Sequence, residues 1–173
     1  MSLRTLRIRP CAGDPRRGRL VAGPHAVPVA LGRGGIRANK REGDGATPRG
    51  TFRPVRLWWR SDRHRRPQTR LPVRPIGPAD AWCEDSADRR YNRAIRTNPA
   101  GTGDRLWRDD GLYDFVVELD HNTRPRIAGR GSAVFIHVAR AGLAPTAGCV
   151  AMPSGQLRRL LAQIDPRTRI VVG

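Results

Sequence analysis

Two side chains of this sequence could carry nucleophilic catalysis between them: the thiol of Cys149 and the imidazole of His137, twelve residues earlier. A thiol attacks only as thiolate, so a catalytic cysteine needs a partner that takes its proton and surroundings that lower its pKa from about 8.5. His137 sits in the apolar run Ala133-Val134-Phe135-Ile136-His137-Val138, which reads as a strand. The segment Ala141-Gly142-Leu143-Ala144-Pro145-Thr146-Ala147-Gly148 that follows is turn-forming, so the chain can reverse and bring imidazole to sulfur. Gly148, without a Cβ, permits a strained backbone there and close approach of a substrate to the sulfur. On spacing alone, the bland alternative is a small buried cysteine and a satisfied strand histidine.

The remaining chemistry-bearing residues are less pointed. Trp82-Cys83-Glu84-Asp85-Ser86 and Tyr91-Asn92-Arg93 put aromatic, acidic and amide groups on one stretch. They would either receive the amine and amide edges of a substrate or anchor a long loop through Trp82, with the acids in solvent. Asp114, Glu118 and Asp120 read as solvated-face charges rather than orienters of His137. Cys83 reads as structural, and His25, His64 and His121 carry no signal, His64 lying in the basic run Arg60–Arg66. Three cysteines, Cys11, Cys83 and Cys149, without a C-x-x-C spacing argue against a disulfide framework or a zinc site, so neither a metal nor a cofactor is expected.

Strands must position the pair. Leu6 and Ile8 alternate with Arg7 and Arg9, Leu20-Val21 and Val27–Leu31 follow between Gly and Pro, and Gly50–Trp59 continues the alternation. From Ser61 to about Arg108 the pattern loosens into a Pro-, Arg- and Asp-rich stretch, expected as a long irregular middle loop or lid. Strand patterns return at Tyr113–Leu119 and Ala133–Val138. Leu157, Leu160, Leu161 and Ile164 mark one face of a helix that Pro166 ends, and residues 168–172 close the chain as a strand. The expectation is one mainly β domain over residues 1–173 with one C-terminal-region helix.

The net charge of +18 raises nucleic-acid or anionic-polymer binding as a function of another class. Yet 32 of the 33 basic residues are arginine, in a chain rich in Ala, Gly and Pro, which suggests coding bias rather than a dedicated nucleic-acid role. No apolar run reaches the roughly 18–20 residues of a membrane span. The first ten residues lack the apolar core of a secretory signal, so either export takes another route or the signal has been removed.

A resemblance sharpens this. His137-Val138 with Pro145-Thr146-Ala147-Gly148-Cys149-Val150 resembles the His…(Ser/Thr)-x-Gly-Cys signature of the L,D-transpeptidase (YkuD-like) family. Gly43-Asp44-Gly45-Ala46-Thr47-Pro48-Arg49-Gly50-Thr51-Phe52 is similar to the Gly-Asp-x-x-Thr-Pro-x-Gly-x-(Phe/Tyr) element upstream of that family's site. With their strands these blocks span residues 3 to 172. The resemblance implies a compact β-sandwich-like catalytic domain. It implies attack of the Cys149 thiolate on the third, diamino-acid residue of a peptidoglycan stem, release of the terminal D-amino acid, and resolution of a thioester by an amine into a 3→3 cross-link. His137 would shuttle the proton, a backbone carbonyl near the nucleophile would orient it, and N–H groups around Gly148 and Cys149 would hold the oxyanion. Thr146, Arg140, Trp82, Glu84, Asp85, Tyr91 and Asn92 are the substrate-binding candidates.

One departure matters: transpeptidases of this family usually carry Arg two residues after the nucleophile, where this chain has Ala151. That raises hydrolysis of the same linkages, by an L,D-endopeptidase or carboxypeptidase, as the alternative, and leads us to expect more hydrolysis than cross-linking. Arg140 is the residue that would compensate. The expected partners are stem peptides, without specific nucleic acid or a membrane span, for a monomer in the cell envelope or periplasm, with the cytoplasm left open.

Overall fold

The computed structural model describes residues 2–97 and 101–173. In chain order the strands are β1 (Thr5–Cys11), β2 (Asp14–Ala22), β3 (His25–Ala30), β4 (Ile36–Arg37), β5 (Thr47–Pro48), β6 (Gly50–Phe52), β7 (Pro54–Trp59), β8 (Val73–Pro75), β9 (Asp80–Trp82), β10 (Ala94–Arg96), β11 (Asp104–Arg105), β12 (Phe115–Leu119), β13 (Phe135–Val138), β14 (Val150–Met152) and β15 (Arg169–Val172). The helix α1 (Ser154–Leu161) lies between the last two. Ten strands form one sheet in the order β6-β15-β1-β2-β3-β14-β13-β12-β7-β8.

That order forces curvature. β6 and β7 stand eight places apart, about 38 Å in a flat sheet at the usual strand spacing. Only Arg53 separates them in sequence, and one residue spans about 3.5 Å. The sheet must roll until its two ends meet, giving the closed, sandwich-like architecture expected. Arg53 is fixed at this corner by Asp120, whose Oδ1 accepts the Arg53 N–H at 2.7 Å while the Asp120 N–H donates to Arg53 O at 3.1 Å.

Alternation decides what each face holds. In β13, β14 and the residue before it, Ile136, Val150 and Met152 enter a core with Leu6, Ile8, Leu57 and Val117, which the α1 residues Leu157, Leu160 and Leu161 seal. Phe135 and Cys149 face the other way, into a second cluster with Trp58, Trp82, Leu106 and Tyr113. β13 and β14 run parallel with His137 opposite Ala151. The reactive residues thus leave the sheet on the face away from the main core.

The middle stretch, residues 61–108, is long and mostly irregular, as expected, and it is anchored: β9, flanked by β10 and β11, makes a small sheet, and Ile76, Trp82 and Leu106 bury themselves in the second cluster. Its strands are only two or three residues long, too short for a periodic pattern to register. Residues 98–100 of this stretch lie outside the described residues, as does Met1.

Candidate active site

The turn before β14 is built from both motifs at once. Thr146 Oγ–H donates to Cys149 O at 2.6 Å and its oxygen accepts the Gly148 N–H at 3.1 Å, closing a tight loop. Backbone bonds between Thr146 and both Leu31 and Arg33, at 2.9 Å each, tie that loop to the end of β3. Gly148 has φ 142, and a Cβ there would sit 2.8 Å from the Ala46 carbonyl oxygen. Its small size therefore admits the Gly43–Phe52 segment, a second demand for glycine beside the strained backbone. Thr47 completes the contact by accepting the Gly32 N–H at 2.8 Å and reaching Cys149 O at 3.4 Å. Lys40 and Asp44, paired at 2.5 Å, brace the segment from beneath.

Cys149 is 8% exposed and His137 6%. The His137 Nδ1 lies 2.8 Å from Val138 O. A carbonyl can only accept, so Nδ1 carries the proton and the neutral ring keeps a basic Nε2. The Cys149 thiol donates to Ala133 O at 3.1 Å. Burial pushes this thiol up to about 12, with Asp104 and Glu84 adding to it and the Phe135 N–H opposing. Burial likewise takes the imidazole down to about 4, assisted by Arg108 and Arg140 against the Val138 carbonyl. Desolvation penalises both charged forms, so burial favours a neutral thiol and a neutral imidazole here. The oxyanion expectation narrows, since Thr146 already takes the Gly148 N–H.

Both side chains open into one cavity of about 230 Å³, whose wall includes Thr146, Ala151, Glu84, Asp104, Arg108, Tyr113 and Arg140. Tyr113 stacks edge-on against His137, 5.2 Å between ring centres, and its hydroxyl donates to Asp104 at 2.6 Å. Burial raises the Asp104 carboxyl. Glu84 is open to solvent along much of its surface, yet desolvation at the wall, with Asp104 and then Glu42 adding negative charge, lifts it to about 7. The wall thus carries both carboxyl and guanidinium groups, and two of them, Asp104 and Arg108, pair with each other at 3.9 Å. The family model of the L,D-transpeptidase catalytic domain matches residues 16–172. The chain belongs to the L,D-transpeptidase catalytic domain family.

No curated protein matches the chain at a significant level. An L,D-transpeptidase-type domain is an enzymatic module acting on peptidoglycan in the cell wall. Among the described residues no helix is long and apolar enough to cross a membrane.

Of the substrate-binding candidates, this L,D-transpeptidase domain brings Thr146, Glu84 and Arg140 to the cavity. Asp85 is exposed and accepts the Ala87 N–H at 2.9 Å, capping a local turn. Trp82, Tyr91 and Asn92 are buried behind the wall: the Trp82 indole N–H donates to Asn92 Oδ1 at 3.0 Å, and the Tyr91 hydroxyl bonds Glu42. Sequence reasoning missed Asp104 and Arg108, which lie in or beside short elements without periodicity, and Tyr113, which it read only as the start of a strand. It also misread the acids and His64. Glu118 accepts the Trp58 indole N–H at 2.9 Å, Asp120 holds the Arg53 corner, and Asp114 bonds His64 at 2.7 Å, whose ring packs on Phe115.

Proposed function

We propose that the domain is a cysteine acyltransferase of peptidoglycan stem peptides, working through a thioester on Cys149. The observation that carries this reading is one cavity presenting a thiol, an imidazole of fixed tautomer, carboxyls and guanidinium groups at once. His137 Nε2 takes the thiol proton as sulfur attacks the carbonyl of the third stem residue. It returns that proton to the departing amine as the C–N bond breaks, leaving the thioester. Arg140 suits the carboxylate of the departing D-amino acid, whereas Arg108 is already engaged by Asp110. Glu84 and Asp104 suit the ammonium of an incoming stem, which must lose a proton before its nitrogen attacks the thioester and frees the thiol.

Ala151 favours a second reading. It is 1% exposed, stands opposite His137 and contributes no cation to the cavity wall, so water in place of an amine would make the domain a hydrolase of the same linkages. Incubation with purified tetrapeptide-stem muropeptides, followed by mass, separates them. Dimers lacking one terminal residue support transfer, and monomers lacking it support hydrolysis. Unchanged stems with folded protein would sink both.

A further inference from the structure

We propose that Asn92 is the positioning residue of the nucleophile, acting through Ala133, whose carbonyl holds the Cys149 thiol in its resting orientation. The inference rests on Cys149 being the nucleophile, as proposed above, and adds a buried amide to the machinery that presents it.

Asn92 is 3% exposed and uses its whole side-chain amide. Its Oδ1 accepts the Trp82 indole N–H at 3.0 Å and the Ala133 N–H at 3.3 Å. Its Nδ2 donates to His121 O at 3.1 Å and Asn122 O at 2.9 Å. Donors on one side and carbonyls on the other fix which way the amide faces. Ala133 has φ 52, a left-handed backbone that is strained for a residue with a Cβ and persists only where its neighbours enforce it. Asn92 holds its N–H. Two residues earlier, the Gly131 N–H donates to Tyr91 Oη at 2.9 Å, and Ser132 Oγ–H donates to Glu42 at 2.7 Å.

So held, Ala133 turns its carbonyl onto Cys149 Sγ at 3.1 Å, and the Phe135 N–H meets the same sulfur. Among the described residues, the non-glycine residues with positive φ are Asn92, Asn122, Ala133 and Leu143. The first three form this network, and the fourth lies in the Ala141–Leu143 turn that leads to Ala144 on the cavity wall. Strained backbone is thus concentrated around the sulfur rather than scattered through surface turns.

The bond has two consequences. It fixes where the sulfur rests in the cavity it shares with His137, and it stabilises the protonated thiol, whose hydrogen must leave Ala133 O before His137 can receive it. Removing the amide should therefore make Cys149 more reactive toward a small reagent and less effective in turnover. General loosening of the fold would not give that pair of effects with an unchanged KM.

The test begins with the unaltered protein: an infrared difference spectrum against Cys149→Ala should show the Cys149 S–H stretch displaced to lower frequency, as for a thiol donating to a carbonyl. A band at the free-thiol frequency overturns the proposal whether or not any Asn92 variant folds. Asn92→Gly tolerates the left-handed backbone and deletes the amide. In it the band should return toward the free value, iodoacetamide should alkylate Cys149 about tenfold faster at pH 8, and kcat should fall at least about tenfold with KM within about twofold. Asn92→Asp, kept neutral by burial, retains the acceptor oxygen and should stay within about threefold of wild type. A folded Asn92→Gly with wild-type kcat and alkylation rate overturns the assignment. Turnover that survives in Cys149→Ala would remove the parent reading instead, which the S–H band does not probe.

Discussion

At the scale of single residues the site combines two neutral partners rather than a preformed ion pair. Cys149→Ala removes one buried sulfur, so turnover should drop by about 10⁴-fold or more while the thermal midpoint stays within a few degrees of wild type. Full turnover in that variant would show that another group is the nucleophile. The titrations are separable. With His137 brought down to about 4 by burial, its protonation should depress kcat/KM only in strongly acid solution, since that parameter reports the free enzyme. Glu84, lifted to about 7, must ionise to receive an ammonium, so kcat/KM for an amine acceptor should climb through pH 7. Glu84→Gln should abolish that upper limb and leave the acid one. A limb near 7 that persists in the variant would take Glu84 out of acceptor binding. His137 also carries a stability term. Between about 4 and its unfolded value of 6.5 the unfolded chain binds the extra proton, so stability falls as pH falls through that window, by at most about 3 kcal/mol.

At the scale of elements, the turn that presents Cys149 is held by a second segment rather than by its own sequence. Gly148→Ala sets a methyl 2.8 Å from the Ala46 carbonyl at a φ that alanine avoids, and should cost about 2 kcal/mol or more in urea unfolding along with most activity. A Gly148→Ala protein of normal stability would mean that the Ala46 segment yields freely. This contact was invisible in the sequence: both motifs could be read, but not that one packs on the other. The long β patterns were legible because burial alternates along them, as in β1, where Leu6 and Ile8 are fully buried between exposed Arg7 and Arg9. The single run read from Gly50 to Trp59 divides at Arg53, because a strand that changes sheet edge keeps its alternation and hides the corner. The helix was legible from the spacing of Leu157, Leu160 and Leu161, although Pro153 takes the first cap without a side-chain bond. Cys149 and His137 could be singled out by chemistry. Asp104 and Tyr113 could not, because what distinguishes them is whom they touch.

At the scale of the molecule, the +18 is spread along the whole chain, and part of it stands on the strands of the large sheet. Arg9 and Arg19 face each other across β1 and β2, with Arg7 and Arg169 exposed on the same strands or the next, and among the described residues none of the four forms an ion pair. Like charges directly opposite on a sheet repel. Arg19→Glu should therefore raise stability by about 0.5–1 kcal/mol at low salt, and the gain should shrink as ionic strength shortens the screening length from about 30 Å to about 8 Å. A gain that ignored salt would have some other origin. The rolled sheet has a further consequence in time. Its closing strand, β15, lies between β1 and β6, so residues from the two ends of the described chain must meet before the sheet is complete. Whatever hairpins have already paired, the seam between β1 and β6 stays open until Arg169–Val172 has left the ribosome.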